Sequence, residues 1–558
     1  MTDPAPSYMH GASDQPMIGE TIGVHFDRTV ARFGDRPGLI VRQQGINWTW
    51  AELAAHVDAF AAGLVALGLQ PADRIGIWSP NNAEWIITQY ATAKAGLILV
   101  NINPAYRLTE VEYALNKVEC KALITASRFK TSDYIGMINT LAPELAVTHP
   151  GDLHAGRLPT LRSVIQIGGD ASGTFAFDKV AHHGRDVDRQ RLVELAPLLQ
   201  FDDPINIQFT SGTTGLPKGA TLTHHNILNN GYFLGEMMQY TDKDLVCIPV
   251  PMYHCFGMVI GSLACMTHGS AIVFPSEGFE PLATLQAVAE YRCTSLYGVP
   301  TMFIAELDHP DFAKYDLGSL RTGMMAGAPC PVEIMRRCIR DMNLTEMTIG
   351  YGMTETSPVS TQTRIGDTLE QQVSTVGRVH PHVEIKIIDA NGRIVPRGVT
   401  GEFCTRGYSV MLGYWDDPER TAEAIDRNGW MHTGDLATMD ADGYCAIVGR
   451  IKDLVIRGGE NIYPREVEEF LYRHPAIVDV QVFGVPDQRF GEELCAWVKL
   501  RSGETLTEDD VKAYCKDQIA HYKIPRYVRF VDEFPMTVTG KMQKYLMRAQ
   551  MTEELGLR

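Results

Sequence analysis

Apolar residues recur along the first part of the chain with two periods, and the periods alternate. Trp50, Leu53, Val57, Phe60, Leu64 and Val65 fall mostly three or four apart, the spacing of one helix face. The runs RIGIWS at 74–79 and ILVNI at 98–102 are short, apolar and bounded by turn formers, which predicts strands. Further apolar runs at 163–167, 205–209, 245–250, 271–274, 295–299 and 346–350 are separated by helix-length segments, so a layered α/β architecture is expected to about residue 350. From 376 to 448 short runs alternate with Asn-Gly, Arg-Gly and Asp-Gly turns, the pattern of a small antiparallel unit. After Arg450 a helix is predicted over 464–473 and another over 509–518. Val478, Val480 and Val482 alternate with polar residues between them, giving a C-terminal α+β unit of roughly 100 residues. GRIKDLVIRGG at 449–459 combines charges with paired glycines and suits a hinge. The expected division is a large N-terminal domain, 1–452, holding the α/β layers and the antiparallel unit, and a smaller mobile α+β domain, 453–558.

Composition narrows the class. A chain of 558 residues exceeds what one core usually serves, at roughly 100 to 200 residues per domain. Hydrophobic residues at 45% and charged residues at 21% are the balance of a globular protein. Asp and Glu outnumber Lys and Arg by 67 to 50, a formal charge of −17, and that field repels nucleic acid and anionic lipid. Anionic small molecules must therefore be met by local donors. The 11 cysteines are scattered without metal-ligand spacing and read as reduced thiols. The first twenty residues hold Asp3, Asp14 and Glu20 but no Lys or Arg, which fits neither a secretory leader nor a transit peptide, and a cytoplasmic protein is expected. The apolar stretch 258–274 falls short of the ~20 residues that span a bilayer and predicts a buried helix followed by a strand. The terminal residues 555–558 form no peroxisomal address. The sequence leaves open whether the chain forms a homodimer.

FTSGTTGLPKGA at 209–220 has the Gly, Ser, Thr and Lys content of a loop that wraps phosphate. It is not the common mononucleotide loop: Pro217 precedes Lys218 and Gly219 follows it, so the Lys-hydroxyl pair of that motif is missing. Its nucleotide is handled in another way.

In order along the chain this loop is joined by GYGMTE at 350–355, TGD at 433–435, GRIKD at 449–453 and PMTVTGK at 535–541. Together these resemble the adenylate-forming superfamily of acyl-CoA synthetases, luciferases and peptide-synthetase adenylation domains, over residues 20 to 548. VNINPAYRLTE at 100–110 and PMYHCFGM at 251–258 are most similar to its medium-chain fatty acyl-CoA synthetase branch. The resemblance implies a reaction in two halves, with ATP, Mg2+ and coenzyme A. A carboxylate attacks the α-phosphate of ATP to give acyl-adenylate and pyrophosphate, and the coenzyme A thiol then displaces AMP.

The same resemblance implies roles. Thr210, Ser211, Gly212, Thr213, Thr214, Gly215 and Lys218 would hold the leaving phosphates by hydroxyl, amide and ammonium donors. Tyr351, between Gly350 and Gly352, would lie flat on adenine, with Gly327, Ala328 and Pro329 beside it. Thr354 would reach the α-phosphate and Glu355 would bind Mg2+, a hard cation that prefers carboxylate and phosphate oxygens. Asp435 and Arg450 would hold the ribose hydroxyls. His254 would gate acyl pocket from thiol tunnel. Lys541 would bring carboxylate and α-phosphate together, Asp453 would be the hinge, and Gly458 and Gly459 would let the pantetheine arm approach backbone.

Met258, Val259, Val299, Met302, Phe303, Met325 and Ala326 are the expected acyl-pocket lining, and none is charged. An amino acid, whose ammonium would need a buried partner, is disfavoured. A medium-chain acid is expected, and a short branched, thioether or aryl acid is the alternative. A carrier-loading adenylation domain, a luciferase-type oxygenase and a nucleotide-binding pseudoenzyme are the other readings.

Overall fold

The computed structural model of the chain describes residues 5–210, 217–328, 330–536 and 542–557. The chain divides into two compact units, one of His10–Glu384 and Thr405–Met431, the other of Met1–Met9, Ile385–Cys404 and His432–Arg558.

Two sheets organise the larger unit. The first runs Phe175–Ala176, Ser163–Ile167, Ala122–Ala126, Arg74–Trp78, Ile98–Asn101, Pro204–Thr210, Lys218–Thr223, Gly413–Tyr414. Its first six strands are parallel and the last two antiparallel. The second runs Arg378–Val379, Val359–Gln362, Glu346–Gly352, Thr322–Ala326, Ser295–Gly298, Leu245–Cys247, Ala271–Phe274, Pro37–Val41, Ile46–Thr49, parallel in the middle and antiparallel at both edges. Parallel strands are covered on both faces, so they read as continuous apolar runs. All of Ala122–Ala126, for example, is buried.

One core cluster takes residues from both sheets and from the helices Trp50–Ala66, Ala83–Ala95 and His224–Met237. The first of these helices starts where it does because Thr49 and Glu52 cap each other. Thr49 Oγ1 accepts the Glu52 amide at 3.2 Å and Glu52 Oε2 accepts the Thr49 amide at 2.8 Å. Just inside that cap Trp50 meets Phe26 edge-on, with ring centroids 6.1 Å apart, and Phe26 stacks on Tyr90 at 4.6 Å. All three rings are fully buried.

The segment 258–274 departs from the expected helix and strand. Phe256–Leu263 is wound as a π-helix, passes into the α-helix Ala264–His268, and only after Gly269, at φ 72°, reaches the strand Ala271–Phe274. Gly257 and Gly261 let this wide turn sit tightly: a Cβ on Gly257 would lie 2.6 Å from the Pro251 carbonyl oxygen, and one on Gly261 would lie 2.8 Å from Ile248 Cδ1.

A five-stranded sheet orders Tyr8–His10, Val383–Ile388, Gly401–Gly407, Met431–Met439 and Cys445–Arg450, the last two antiparallel, and the limits of the two units fall within its first four strands. A second sheet orders Glu460–Ile462, Val455–Arg457, Gly491–Leu500 and Ile477–Asp487, with Tyr527–Phe530 also on Gly491–Leu500. The alternation at 478–482 predicts one buried face, but Ile477–Asp487 is covered on both. Val480 and Val482 pack with Val467 and Leu471, whereas Phe483 and Val485 pack with Met547 and Met551. Every cysteine is buried and none forms a disulfide, as expected of reduced thiols.

Because Phe26 is fully enclosed, Phe26→Ala is expected to cost about 3–5 kcal/mol of stability. Urea unfolding followed by tryptophan fluorescence, which Trp50 reports directly, measures that loss.

Candidate active site

The strongest cluster of candidate residues gathers on a buried carboxylate. Glu355 sits in the single turn Thr354–Thr356, just past the strand Glu346–Gly352, and is 4% exposed. A carboxylate so enclosed must be hydrogen-bonded. Tyr414 donates its hydroxyl to Glu355 Oε1 at 2.9 Å, and Thr210 Oγ1 donates to the same oxygen at 3.3 Å. Lys218 Nζ in turn donates to the Tyr414 hydroxyl at 2.9 Å. Sheet register fixes this chain of donors: Thr210 is paired with Lys218 across two antiparallel strands, and Ala220 with Tyr414 on the next strand out. Burial first, and then the neighbouring Glu355 charge, push the Tyr414 phenol far above its ordinary value, so it stays a donor. Ser211, Gly212, Thr213, Thr214 and Gly215 lie outside the described residues.

Thr354 extends the cluster on its other side, its Oγ1 3.8 Å from Cys255 Sγ. Burial pushes the Cys255 thiol up to about 12, with the Glu355 charge adding to that and the Thr354 contact opposing it. His254 stands 3.5 Å from the same sulfur through Nδ1, which also accepts the Phe256 amide at 3.1 Å. That bond makes Nδ1 an acceptor and fixes the ring. The structure thus joins Thr210, Lys218, Glu355, Thr354 and His254, and adds Tyr414 and Cys255, which sequence reasoning passed over. Tyr414 lies 59 residues from Glu355 in a GYW run that no spacing rule singles out.

Ala326 and Gly350 are register partners on parallel strands. This places Gly327 and Ala328, both exposed, and half-buried Tyr351 at the same carboxyl edge of the sheet, where open α/β folds bind ligands. The glycines around Tyr351 have packing reasons of their own. A Cβ on Gly350 would come within 3.2 Å of the Met324 methyl, and one on Gly352 within 1.7 Å of the Pro358 carbonyl oxygen. Gly327 takes φ 85°, a left-handed conformation. Pro329 lies outside the described residues.

The expected pocket lining divides between two cores. Met258, Val259, Val299, Met302 and Ala326 share the central cluster, whereas Phe303 and Met325 belong to a second cluster with Cys247, Met335 and Cys338. Successive residues of a strand face opposite sides, so Met324 joins the first cluster and Met325 the second.

The other unit holds the remaining candidates. Asp435 and Arg450 are paired across Met431–Met439 and Cys445–Arg450, with Arg450 Nε 3.0 Å from Asp435 Oδ1. Thr433 Oγ1 accepts the Asp435 amide at 3.1 Å and donates to the Phe403 carbonyl at 2.7 Å. Asp453, half-buried, ends the turn Ile451–Asp453. Gly458 and Gly459, at φ 60° and 90°, make the two-residue turn between Val455–Arg457 and Glu460–Ile462, a hairpin type that demands positive φ at both positions. Beside it Arg457 is clamped by Glu493 through two bonds of 2.7 and 2.8 Å. Lys541 lies outside the described residues.

Two family models match the chain: AMP-binding enzyme over residues 26–415 and AMP-binding enzyme C-terminal domain over 466–541. The medium-chain acyl-CoA ligase ACSF2, mitochondrial, of Danio rerio is 49% identical over 554 residues, 99% of this chain and 91% of that protein. The putative acyl-CoA synthetase YngI of Bacillus subtilis is 48% identical over 543 residues, 97% of this chain and 99% of that one. Among solved structures, ATP-bound MatB from Rhodopseudomonas palustris superposes with a TM-score of 0.81 at 28% identity, covering 95% of this chain and 99% of that one. The anthranilate CoA ligase AuaEII with anthranoyl-AMP shares the fold, with a TM-score of 0.86 at 24% identity over 98% and 99% of the two chains.

The contact at Gly352 is with backbone, which no rotamer change relieves. Gly352→Ala is expected to lower the melting temperature by the equivalent of about 1–3 kcal/mol or more. Gly156→Ala, where nothing lies within 4 Å of the new methyl, should leave it unchanged. A thermal melt of the two variants side by side makes the comparison.

Proposed function

The chain belongs to the AMP-binding enzyme family, and on that premise we propose how it works as an ATP-dependent, AMP-forming acid–CoA ligase whose acid is a medium-chain fatty acid. The observation that carries the site assignment is the buried Glu355 carboxylate, with Tyr414 and Thr210 donating to one oxygen and Lys218 one bond further out. Two half-reactions follow. An oxygen of the acid attacks the α-phosphorus of ATP, the bond to the bridging oxygen breaks and pyrophosphate leaves. The coenzyme A sulfur then attacks the acyl carbon of the mixed anhydride and AMP departs with the bonding pair.

The residues take these roles. Thr210, Lys218 and the glycine-rich loop between them hold the β- and γ-phosphates. Tyr351, with Gly327 and Ala328 at the same sheet edge, receives adenine, and Asp435 accepts from the ribose hydroxyls beside the Arg450 guanidinium. Thr354 donates to the α-phosphate. Glu355, a carboxylate with the Tyr414 and Thr210 hydroxyls at one oxygen, would suit Mg2+, a hard cation. When bound, that ion supplies positive charge to the phosphate oxygens. Tyr414 orients the Glu355 carboxylate throughout, since its own phenol does not ionise. Lys541 supplies the ammonium that offsets negative charge on acid and α-phosphate during adenylation, and Asp453 is the hinge about which 453–558 turns for thioester formation.

The acid is inferred from two facts. The lining candidates Met258, Val259, Val299, Met302 and Ala326 share one apolar cluster, and the relatives from fish and mammals bear the name medium-chain acyl-CoA ligase. Among the described residues no helix is long and apolar enough to cross a membrane. A cytoplasmic location is part of the same proposal, although those relatives are named mitochondrial.

A coupled AMP-release assay with coenzyme A, run on acids from acetate to laurate plus benzoate, tests the substrate class. The expected maximum of kcat/KM falls between hexanoate and decanoate, and a maximum at acetate or benzoate would overturn it. Lys541→Ala should cut ATP–pyrophosphate exchange by about 10²–10³-fold, the usual loss when one oxyanion donor is removed. Unchanged exchange would remove the lysine from adenylation. Tyr414→Phe, which strips a donor from a charged partner, should lower the same rate by about 10–100-fold.

A further inference from the structure

A second cluster of chemistry-bearing side chains lies outside every role assigned above. Glu402 and Cys404 are two residues apart on the strand Gly401–Gly407, so both project from one face, and His432 comes to them from the neighbouring strand Met431–Met439. His432 Nδ1 is 3.0 Å from Glu402 Oε2 and 3.7 Å from Cys404 Sγ, and the three atoms all lie within 4.8 Å of one another. Bond lengths of about 2.3 Å to sulfur and about 2.0–2.2 Å to nitrogen and oxygen put the edges of a tetrahedral zinc shell at roughly 3.3–3.7 Å. The two separations from His432 Nδ1, 3.0 and 3.7 Å, are near those values, and the third is within 4.8 Å.

We propose that Glu402, Cys404 and His432 form a site for a borderline-soft divalent cation, Zn2+ in the first place, with water as fourth ligand. The donor set decides the class. Thiolate with imidazole selects zinc over magnesium and calcium, which take oxygen shells. Access decides the entry side: Cys404 is fully buried, whereas the Glu402 and His432 side chains are 19% and 30% exposed. Glu402 is also held from behind, since its Oε1 accepts the Gly434 amide at 3.1 Å, and such outer contacts orient a ligand. On binding, the Cys404 thiol releases its proton to solvent and the sulfur lone pair goes to the metal. The proton that His432 Nδ1 shares with Glu402 moves to Nε2 through water, freeing the Nδ1 lone pair. The cation then ties two adjacent strands together next to the Thr433–Asp435 segment.

The test uses the full reduced chain, stripped of metal and titrated with Co2+ as a spectroscopic stand-in. One equivalent should give a thiolate charge-transfer band in the near ultraviolet and tetrahedral ligand-field bands in the visible, both abolished by added Zn2+. Cys404→Ser and His432→Gln should each lower Co2+ affinity by at least about 10-fold, because even the loss of an outer contact costs about 10–100-fold, while Cys445→Ala keeps the bands. Zinc-edge X-ray absorption on the unmodified chain decides the matter without any variant. One sulfur and three nitrogen or oxygen neighbours are expected. A shell without sulfur, no thiolate band in wild type, or a band that survives in both ligand variants would overturn the site.

Discussion

The larger unit is arranged around a charge that has been taken out of water. Glu355 is enclosed on all sides, and a lone carboxylate there would cost several kcal/mol in lost hydration. What makes it tolerable is the row of donors that Tyr414, Thr210 and Lys218 present, and each comes from a different strand. Those strands are the antiparallel edge of an otherwise parallel sheet. Were Lys218–Thr223 to slip by one residue against Pro204–Thr210, Lys218 and Thr210 would no longer be partners and their side chains would exchange faces. Fold register and site electrostatics are therefore one constraint.

The second sheet imposes the complementary requirement. Its parallel strands Thr322–Ala326 and Glu346–Gly352 stop together, and the chain continues from both into short turns that carry Gly327, Ala328, Thr354 and Glu355. Those turns are free to hold polar groups because the strands beneath them are packed on both faces by separate cores. The same two-sidedness explains why pocket candidates taken from consecutive positions, such as Met325 and Ala326, do not share one cluster.

Much of this was legible in the sequence where a single local rule applies. The runs at 163–167 and 271–274 are strands with those bounds, and the Trp50 periodicity is a helix with a reciprocal cap one residue before it. Elsewhere local rules compete with tertiary contacts. Periodicity alone does not distinguish the π-helix Phe256–Leu263 from an α-helix, because its winding answers to close packing at Gly257 and Gly261. Gly350 and Gly352 flank the Tyr351 ring, and the contacts with Met324 and Pro358 require glycine at both positions whatever the ring does. Gly458 and Gly459 likewise have a sufficient reason in their hairpin turn. Tyr414 was invisible because its importance comes from strand pairing over nearly two hundred residues, and Cys255 because a cysteine's role lies in its surroundings.

Those surroundings bear on how the enzyme survives its own chemistry. A mixed anhydride of a fatty acid and AMP acylates any good nucleophile within reach, and a thiolate is among the best. Cys255 sits against Thr354 and His254. With burial pushing the thiol up to about 12, the protonated form, a poor nucleophile, is the one favoured at neutral pH. On the proposed placement of the acyl-adenylate beside Thr354, burial of Cys255 disfavours its thiolate and leaves coenzyme A the better sulfur nucleophile.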